Sequence, residues 1–316
     1  MRMKTIIRMA IPLLAATAFA FYHLSRLHPA SFRPKNAVSP QAQEHSLADY
    51  AAVLGAHVNG EGLVDYRHLK SNRRPLDRFV AALGELASAE YESWDEEERL
   101  AFWINAYNAL TLTAIVNHYP IQPVLPDSSL IPLNSIRQIP GVWDRLQFTV
   151  MGSAMTLDQI EHQILRKQFD EPRIHMALVC AAKSCPSLRN EPFDGNRLGS
   201  QLENQTSRFL SDPSKFRIER ARRRVLLSSI FKWYGADFVR TYGTDEDFLG
   251  HDQIDRAVLN FIGRRLGDSE SRDYVFKGRY RIEYLDYDWS LNERTELAPL
   301  FSQISPRTAT SVQSLY

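Results

Sequence analysis

The sequence predicts an α+β fold: a mostly helical single domain with a small, largely antiparallel sheet and hairpins. Long stretches with the helical period come first, and short β-branched and aromatic runs appear later in pairs around turn residues. Helices followed by interspersed hairpins argue against the strict alternation of a doubly wound α/β sheet. Composition allows a full core, with 44% hydrophobic and 24% charged residues among 316. Basic and acidic residues, 38 and 37, leave a formal net charge of +1. That balance gives no overall electrostatic case for nucleic acid as a partner. No internal repeat is visible.

The chain opens on a targeting pattern. Arg2, Lys4 and Arg8 precede an uncharged run from Met9 to Tyr22, and Ala18-Phe19-Ala20 has the small-x-small form of a cleavage site. The run is shorter than the roughly 20 residues that cross a bilayer. Residues 1–27 are therefore expected to be a signal peptide, preferred over an uncleaved amino-terminal membrane anchor. Either reading exports the remainder to the periplasm or the outer face of the inner membrane. Residues 28–46, rich in proline, serine and polar side chains, read as a flexible linker, 47–292 as the globular domain and 293–316 as a polar tail.

Within the globular part, Leu47–Leu54 and Pro75–Leu86 are amphipathic helices, with a turn at Asn59-Gly60 and Gly62 between them. Asp95–Arg99 sets negative charge before Leu100–Tyr119, the most apolar helix, which Pro120 and Pro123 end. From there to Gly141 the chain reads as a long ordered loop or lid. Phe148–Val150 and Ala154-Met155 form a short hairpin. Thr156 with Gln159 is a capping box opening a helix that buries Leu157, Ile160, Ile164 and Leu165. Met176–Cys180 has strand length and an apolar makeup. Phe216–Glu219 and Val225–Leu227 read as paired strands, and Ser228-Ser229 caps a helix over Ile230–Thr241. Asp252–Leu266 is amphipathic with Gly267 as its C-cap, and Tyr274–Phe276 pairs with Tyr280–Tyr284 as a last hairpin.

Candidate chemistry gathers in Ile174–Leu188, which holds both cysteines, five positions apart. In a regular strand His175 and Cys180 would lie on opposite faces. Cys185, in the loop beyond, is then the better nucleophile, with His175 as first-choice base and His162 as the alternative. Three readings stay open: buried structural thiols, a Cys180–Cys185 disulfide favoured by an oxidising compartment, and a reactive Cys185. Glu161 lies between Leu157 and Leu165 on an apolar face, so its carboxylate needs an ion pair, a hydrogen-bond network or an acid–base role. His162 is turned about 100° from it.

Asn105 and Asn108 share one face of the apolar helix; they either tie down loop backbone or orient an imidazole or ligand. Arg217, Arg220, Arg222, Arg223 and Arg224 read as a solvated turn, with anionic lipid or cell-wall phosphate as the alternative contact. The aromatics of Leu227–Tyr234 and Tyr287–Asn292 read as core rather than a sugar platform. Two cysteines and scattered histidines fall short of a closed zinc set, so no metal and no cofactor is expected.

Ala101–Leu110, Leu157–His162, Ile174–Leu188, Leu227–Phe238 and Tyr287–Asn292 together resemble the domain of unknown function 547 family. The resemblance covers most of the chain from about Ala101 to Asn292. It implies a shared fold, the export common among bacterial members, and the same candidate residues: Asn105, Asn108, Glu161, His162, His175 and Cys185. It implies no reaction. Two functions fit these residues. The first is a thiol-dependent hydrolase or acyltransferase acting on peptide or amide bonds of the envelope. Cys185 would attack, His175 would take its proton, Glu161 or Asn105 would orient the imidazole, and amides near Ala182–Ser184 would hold the oxyanion. Asn108 and Ser184 would contact the ligand. The second is a non-enzymatic envelope binding or scaffold module, its partner a peptide, cell-wall component or protein, with membrane contact only through the amino-terminal segment.

Overall fold

A computed structural model describes residues 40–127, 131–246 and 248–294. The expected signal peptide or anchor, most of the linker and nearly all of the polar tail lie outside the described residues. Helix α1 (Pro40–His57) starts inside the segment expected to be linker. The chain then reverses through Val58–Val64, where Asn59 Oδ1 accepts from the Glu61 and Leu63 amides and Gly62 takes φ +84°. Helices α2 (Tyr66–Ser71), α3 (Arg74–Glu85) and α4 (Ser88–Glu92) follow. Phe79 of α3 stacks on Tyr50 of α1 with ring centroids 4.5 Å apart.

Helix α5 (Glu96–His118) is the axle of the fold. Asp95 and Glu98 form a complete capping box, and every residue from Trp103 to Val116 is buried. The other helices and loops pack around it because it is apolar on all sides.

Strands β1 (Phe148–Val150) and β2 (Ser153–Met155) form the expected antiparallel hairpin. The capping box of Thr156 and Gln159 opens α6 (Leu157–Gln159), which widens into a π-helical turn at Ile160–Leu165 before α7 (Arg166–Gln168). A 3₁₀ turn at Pro172–Met176 follows, then an irregular buried stretch, a 3₁₀ turn at Gly195–Arg197, and α8 (Leu198–Ser211). Strand β3 (Phe216–Glu219) pairs antiparallel with β4 (Arg224–Leu227), which pairs in parallel with β5 (Arg281–Tyr284). Between β4 and β5 lie α9 (Ser229–Tyr234), α10 (Phe238–Tyr242), α11 (Gln253–Gly263) and α12 (Ser269–Lys277). The fold is thus mostly helical α+β with small sheets of two and three strands.

Four local expectations are corrected. Met176–Cys180 is no strand: Glu171 caps the 3₁₀ turn before it, and the Ala177 and Val179 backbone groups bond to the Asn108 side chain instead of to a neighbouring strand. The parity argument separating His175 from Cys180 therefore does not apply. Tyr274–Phe276 lies in α12, which Asp268 caps, so β5 has β4 as its partner rather than a hairpin. The helix expected over Ile230–Thr241 is broken by a 3₁₀ turn at Gly235–Asp237. Helix α11 ends on Arg264 rather than at Gly267.

All described residues fall in one unit beginning at Val38. Its core has two parts, one around α5 and one between the three-stranded sheet and α9 to α12, and Tyr287 packs on both. After β5 the chain runs back as a strap over the cysteine loop. Lys183 N–H donates to Ser290 O at 2.8 Å, Ser184 N–H to Asp288 O at 3.1 Å, and Asn292 N–H to Ala181 O at 2.9 Å. The strap also donates from Leu291 N–H to Asn134 O and accepts from Val64 N–H at Asn292 O.

Candidate functional site

Where the two parts of the core meet there is a cleft of about 300 Å³. Its reactive lining is Glu161, His162 and His175 with the Cys180–Cys185 pair, and its walls include Trp143, Trp233 and Trp289.

Glu161 is 7% exposed and sits in the π turn, where Arg166 N–H reaches back five residues to Glu161 O. A π turn is a wider, costlier ring than an α turn and recurs at functional sites. The Tyr107 hydroxyl of α5 donates to Glu161 Oε2 at 3.0 Å, and the Tyr234 hydroxyl of α9 is hydrogen-bonded to the same carboxyl group. Burial, reinforced by the Glu161 charge, pushes both phenols well above the ordinary tyrosine range, so they remain donors. Burial also raises the Asp158 carboxyl, one turn before Glu161. Glu161 therefore has a hydrogen-bond network of phenols, the second of the environments its position required.

His175 is 3% exposed, with Nε2 at 2.8 Å from Asp237 Oδ2 and its ring stacked on Tyr234 at 4.2 Å. Arg166 meets the same carboxylate from the other side, Nε to Oδ2 at 2.6 Å and NH2 to Oδ1 at 2.9 Å. Burial alone would raise Asp237, but hydrogen bonds and charge from His175 and Arg166 outweigh it and hold the carboxyl far below the usual range. Asp237, then, orients the imidazole; Asn105 does not. His162 is half-exposed at the cleft rim, 3.0 Å from the Arg166 guanidinium through Nδ1.

Cys180 and Cys185 are joined as a disulfide, and no free cysteine exists. Cys185 in this state has no thiol to attack with. The proposed oxyanion donors are also committed, since the Lys183 and Ser184 amides bond to the strap and Ser184 Oγ accepts from Asp288 N–H at 2.8 Å. Ser184 thus anchors the loop to the strap.

The two asparagines are structural. Asn105 exchanges a pair of hydrogen bonds with the Phe193 backbone, at 2.8 and 2.9 Å. Asn108 does the same with Ala177 O at 3.0 Å and Val179 N–H at 2.9 Å. Asn105 edges a different cleft of about 180 Å³, largely apolar and without an imidazole.

Four of the five clustered arginines pair locally: Arg217, Arg222 and Arg224 with Glu219, Arg224 also with Glu283, and Arg220 with Glu270. The aromatic expectation is revised. Trp233 is 46% exposed and packs against both Tyr287 and Trp289, with Arg137 over the Trp289 ring at 4.9 Å. These rings present an accessible face at the cleft mouth rather than sealed core. Among the described residues, no group of three or more His, Cys, Asp and Glu side chains could hold a metal ion.

The sequence reading missed Asp237, Arg166, Tyr107 and Tyr234. One signal was available for Asp237: it is an acid embedded in the aromatic run Phe231–Phe238, as Glu161 is in an aliphatic one, and the same argument applied to it would have raised it.

Fold and site together define a mostly helical α+β protein with an aromatic-walled cleft that joins a buried carboxyl group, a carboxylate-oriented imidazole and a disulfide. Residues 91–210 match the model of the family described as protein of unknown function, DUF547. No curated protein and no solved structure matches the chain. The matched segment contributes Tyr107, Glu161, His162, His175 and both cysteines, while Tyr234, Asp237 and Tyr287 come from the chain beyond it.

Proposed function

We propose that the cleft hydrolyses an acyl bond, amide or ester, in a peptide of the cell envelope, using water as the nucleophile. One observation carries this reading: an imidazole oriented by a carboxylate, His175 on Asp237, lines the same cleft as the buried Glu161. Asp237 is ionised and accepts from Nε2, so the ring's lone pair lies at Nδ1. In the reaction, Nδ1 takes a proton from water as the water oxygen attacks the carbonyl carbon. That proton returns to the departing nitrogen or oxygen as the acyl bond breaks, and Glu161 is the second group able to exchange one. The tryptophan faces hold the substrate beside these groups by apolar stacking. The reading keeps the acyl chemistry expected from the sequence and replaces its nucleophile, because a disulfide-bonded Cys185 has no thiolate.

An amino-terminal run of the export type and a closed disulfide both fit work outside the cytoplasm, so the substrate is sought among envelope peptides. A second reading, a binding module without chemistry, is favoured by the commitment of Asn105, Asn108 and Ser184 to backbone. Full-length protein with its disulfide intact, assayed against para-nitrophenyl acetate and alanine para-nitroanilide, separates the two. Turnover that falls by at least about tenfold in Glu161→Gln supports the hydrolase. No turnover of either reporter, together with quenching of tryptophan fluorescence by an acetylated alanine peptide, supports the binding module.

A further inference from the structure

We propose that the Cys180–Cys185 disulfide is a reactive element in its own right: a thiol–disulfide exchange site for a dithiol, with Cys180 as the sulfur attacked and Cys185 as the leaving sulfur. This goes beyond the hydrolytic reading and does not depend on it.

The two sulfurs are unlike. Both line the cleft, but Cys180 is partly exposed whereas Cys185 is 4% exposed. The closer donors converge on Cys185. The Cys180 amide donates to its Sγ at 3.0 Å and the Tyr287 hydroxyl at 3.1 Å, while the same hydroxyl lies 3.4 Å from Cys180 Sγ. A sulfur that already accepts two hydrogen bonds carries negative charge at lower cost and leaves faster. Burial, reinforced by the Glu161 charge, keeps the Tyr287 phenol protonated, so the donor persists as charge develops.

The loop is also held independently of the crosslink. Lys183 and Ser184 bond to the strap, and Asn292 N–H holds the Ala181 carbonyl, so opening the S–S bond leaves the backbone anchored. A loop this short gives a crosslink less chain entropy to remove than a long one would.

The exchange balances as follows. A thiolate of the incoming dithiol attacks Cys180 Sγ; a mixed disulfide forms while the Cys180–Cys185 bond breaks, and its electron pair passes to Cys185 Sγ. The dithiol's second thiolate then attacks its own sulfur in the mixed disulfide, closing a disulfide in the partner and releasing Cys180. Two electrons move to the protein, and the partner's two thiol protons end on the two cysteines. A disulfide of the small-molecule thiol pool restores the starting state by the reverse exchange.

The test uses folded full-length protein with dithiothreitol as the dithiol and glutathione disulfide as the trapping probe. Dithiothreitol should open the pair while circular dichroism stays native, and Tyr287→Phe should slow that step by about tenfold. Cys185→Ser should retain glutathione on Cys180, mapped by peptide mass, and Cys180→Ser should retain far less on Cys185. A disulfide that resists dithiothreitol until the chain unfolds would overturn the proposal, as would an unchanged rate in Tyr287→Phe or equal labelling of the two single variants. None of these readouts involves ester turnover, so they stand whether or not the hydrolytic reading holds.

Discussion

Asp237 Oδ2 lies 2.8 Å from His175 Nε2 although the two residues are 62 positions apart, and Arg166 closes on the same carboxylate from the end of the π-containing helix. Three separate segments are thereby fastened at one point beneath the cleft. The imidazole gains a fixed tautomer from the contact, and the fold gains a tie between its two core regions.

That tie makes acid stability depend on Asp237. The carboxyl titrates near 3.8 when unfolded and well below that in the native protein. Between those two values the unfolded chain binds the extra proton, so the contribution is complete above about pH 4 and is lost as pH falls further. Asp237→Asn should cost about 2 kcal/mol at pH 7 by leaving His175 and Arg166 poorly paired. Its stability should also decline less steeply than that of the wild type below pH 4, as urea titrations at several pH values would reveal. Parallel curves would mean that the carboxylate contributes nothing specific.

Asn108 answers for backbone that no strand satisfies. Asn108→Ala would leave the Ala177 carbonyl and the Val179 amide buried without partners. A loss of about 2–4 kcal/mol is expected from two stranded groups, measured by urea denaturation. A loss below about 0.5 kcal/mol would show that the stretch finds other partners.

Gly62 and Gly60 share one turn but differ in what surrounds them. At φ +84°, a Cβ on Gly62 would come within 2.6 Å of Ser187 Cβ and 2.7 Å of Leu188 N, next to the cysteine loop. Around Gly60 a Cβ would meet nothing within 4 Å. Gly62→Ala should therefore lower stability by about 2 kcal/mol or more, and Gly60→Ala should stay within about 0.5 kcal/mol of wild type. Thermal unfolding of the pair makes the comparison, and equal effects would contradict the close approach.

Local signals were legible and non-local ones were not. The capping box at Thr156/Gln159 and the acidic opening turn of α5 are readable because the residues involved lie within four positions of each other. The same holds for the hairpins at 148–155 and 216–227, where alternation and turn residues adjoin. Glu161 was identifiable as buried because helical spacing alone sets it among leucines. Its partners were not, since Tyr107 and Tyr234 reach it from two other helices, and the π turn carries no sequence mark. The apolar run before Cys180 imitated a strand because burial, not sheet pairing, selects its composition; side chains and the strap satisfy its backbone instead. Tyr274–Phe276 has strand-like residues, but the Asp268 cap and packing beside α11 fix it as helix.

In the proposed hydrolysis His175 is the base, and it works while the cysteines are oxidised. Its most direct test is turnover of para-nitrophenyl acetate by full-length protein shown to contain no free thiol, beside His175→Gln, with folding checked by thermal unfolding. A loss of about 100-fold or more in the folded variant is the expected result. Turnover that appears only after reduction, or that His175→Gln leaves unchanged, would contradict it.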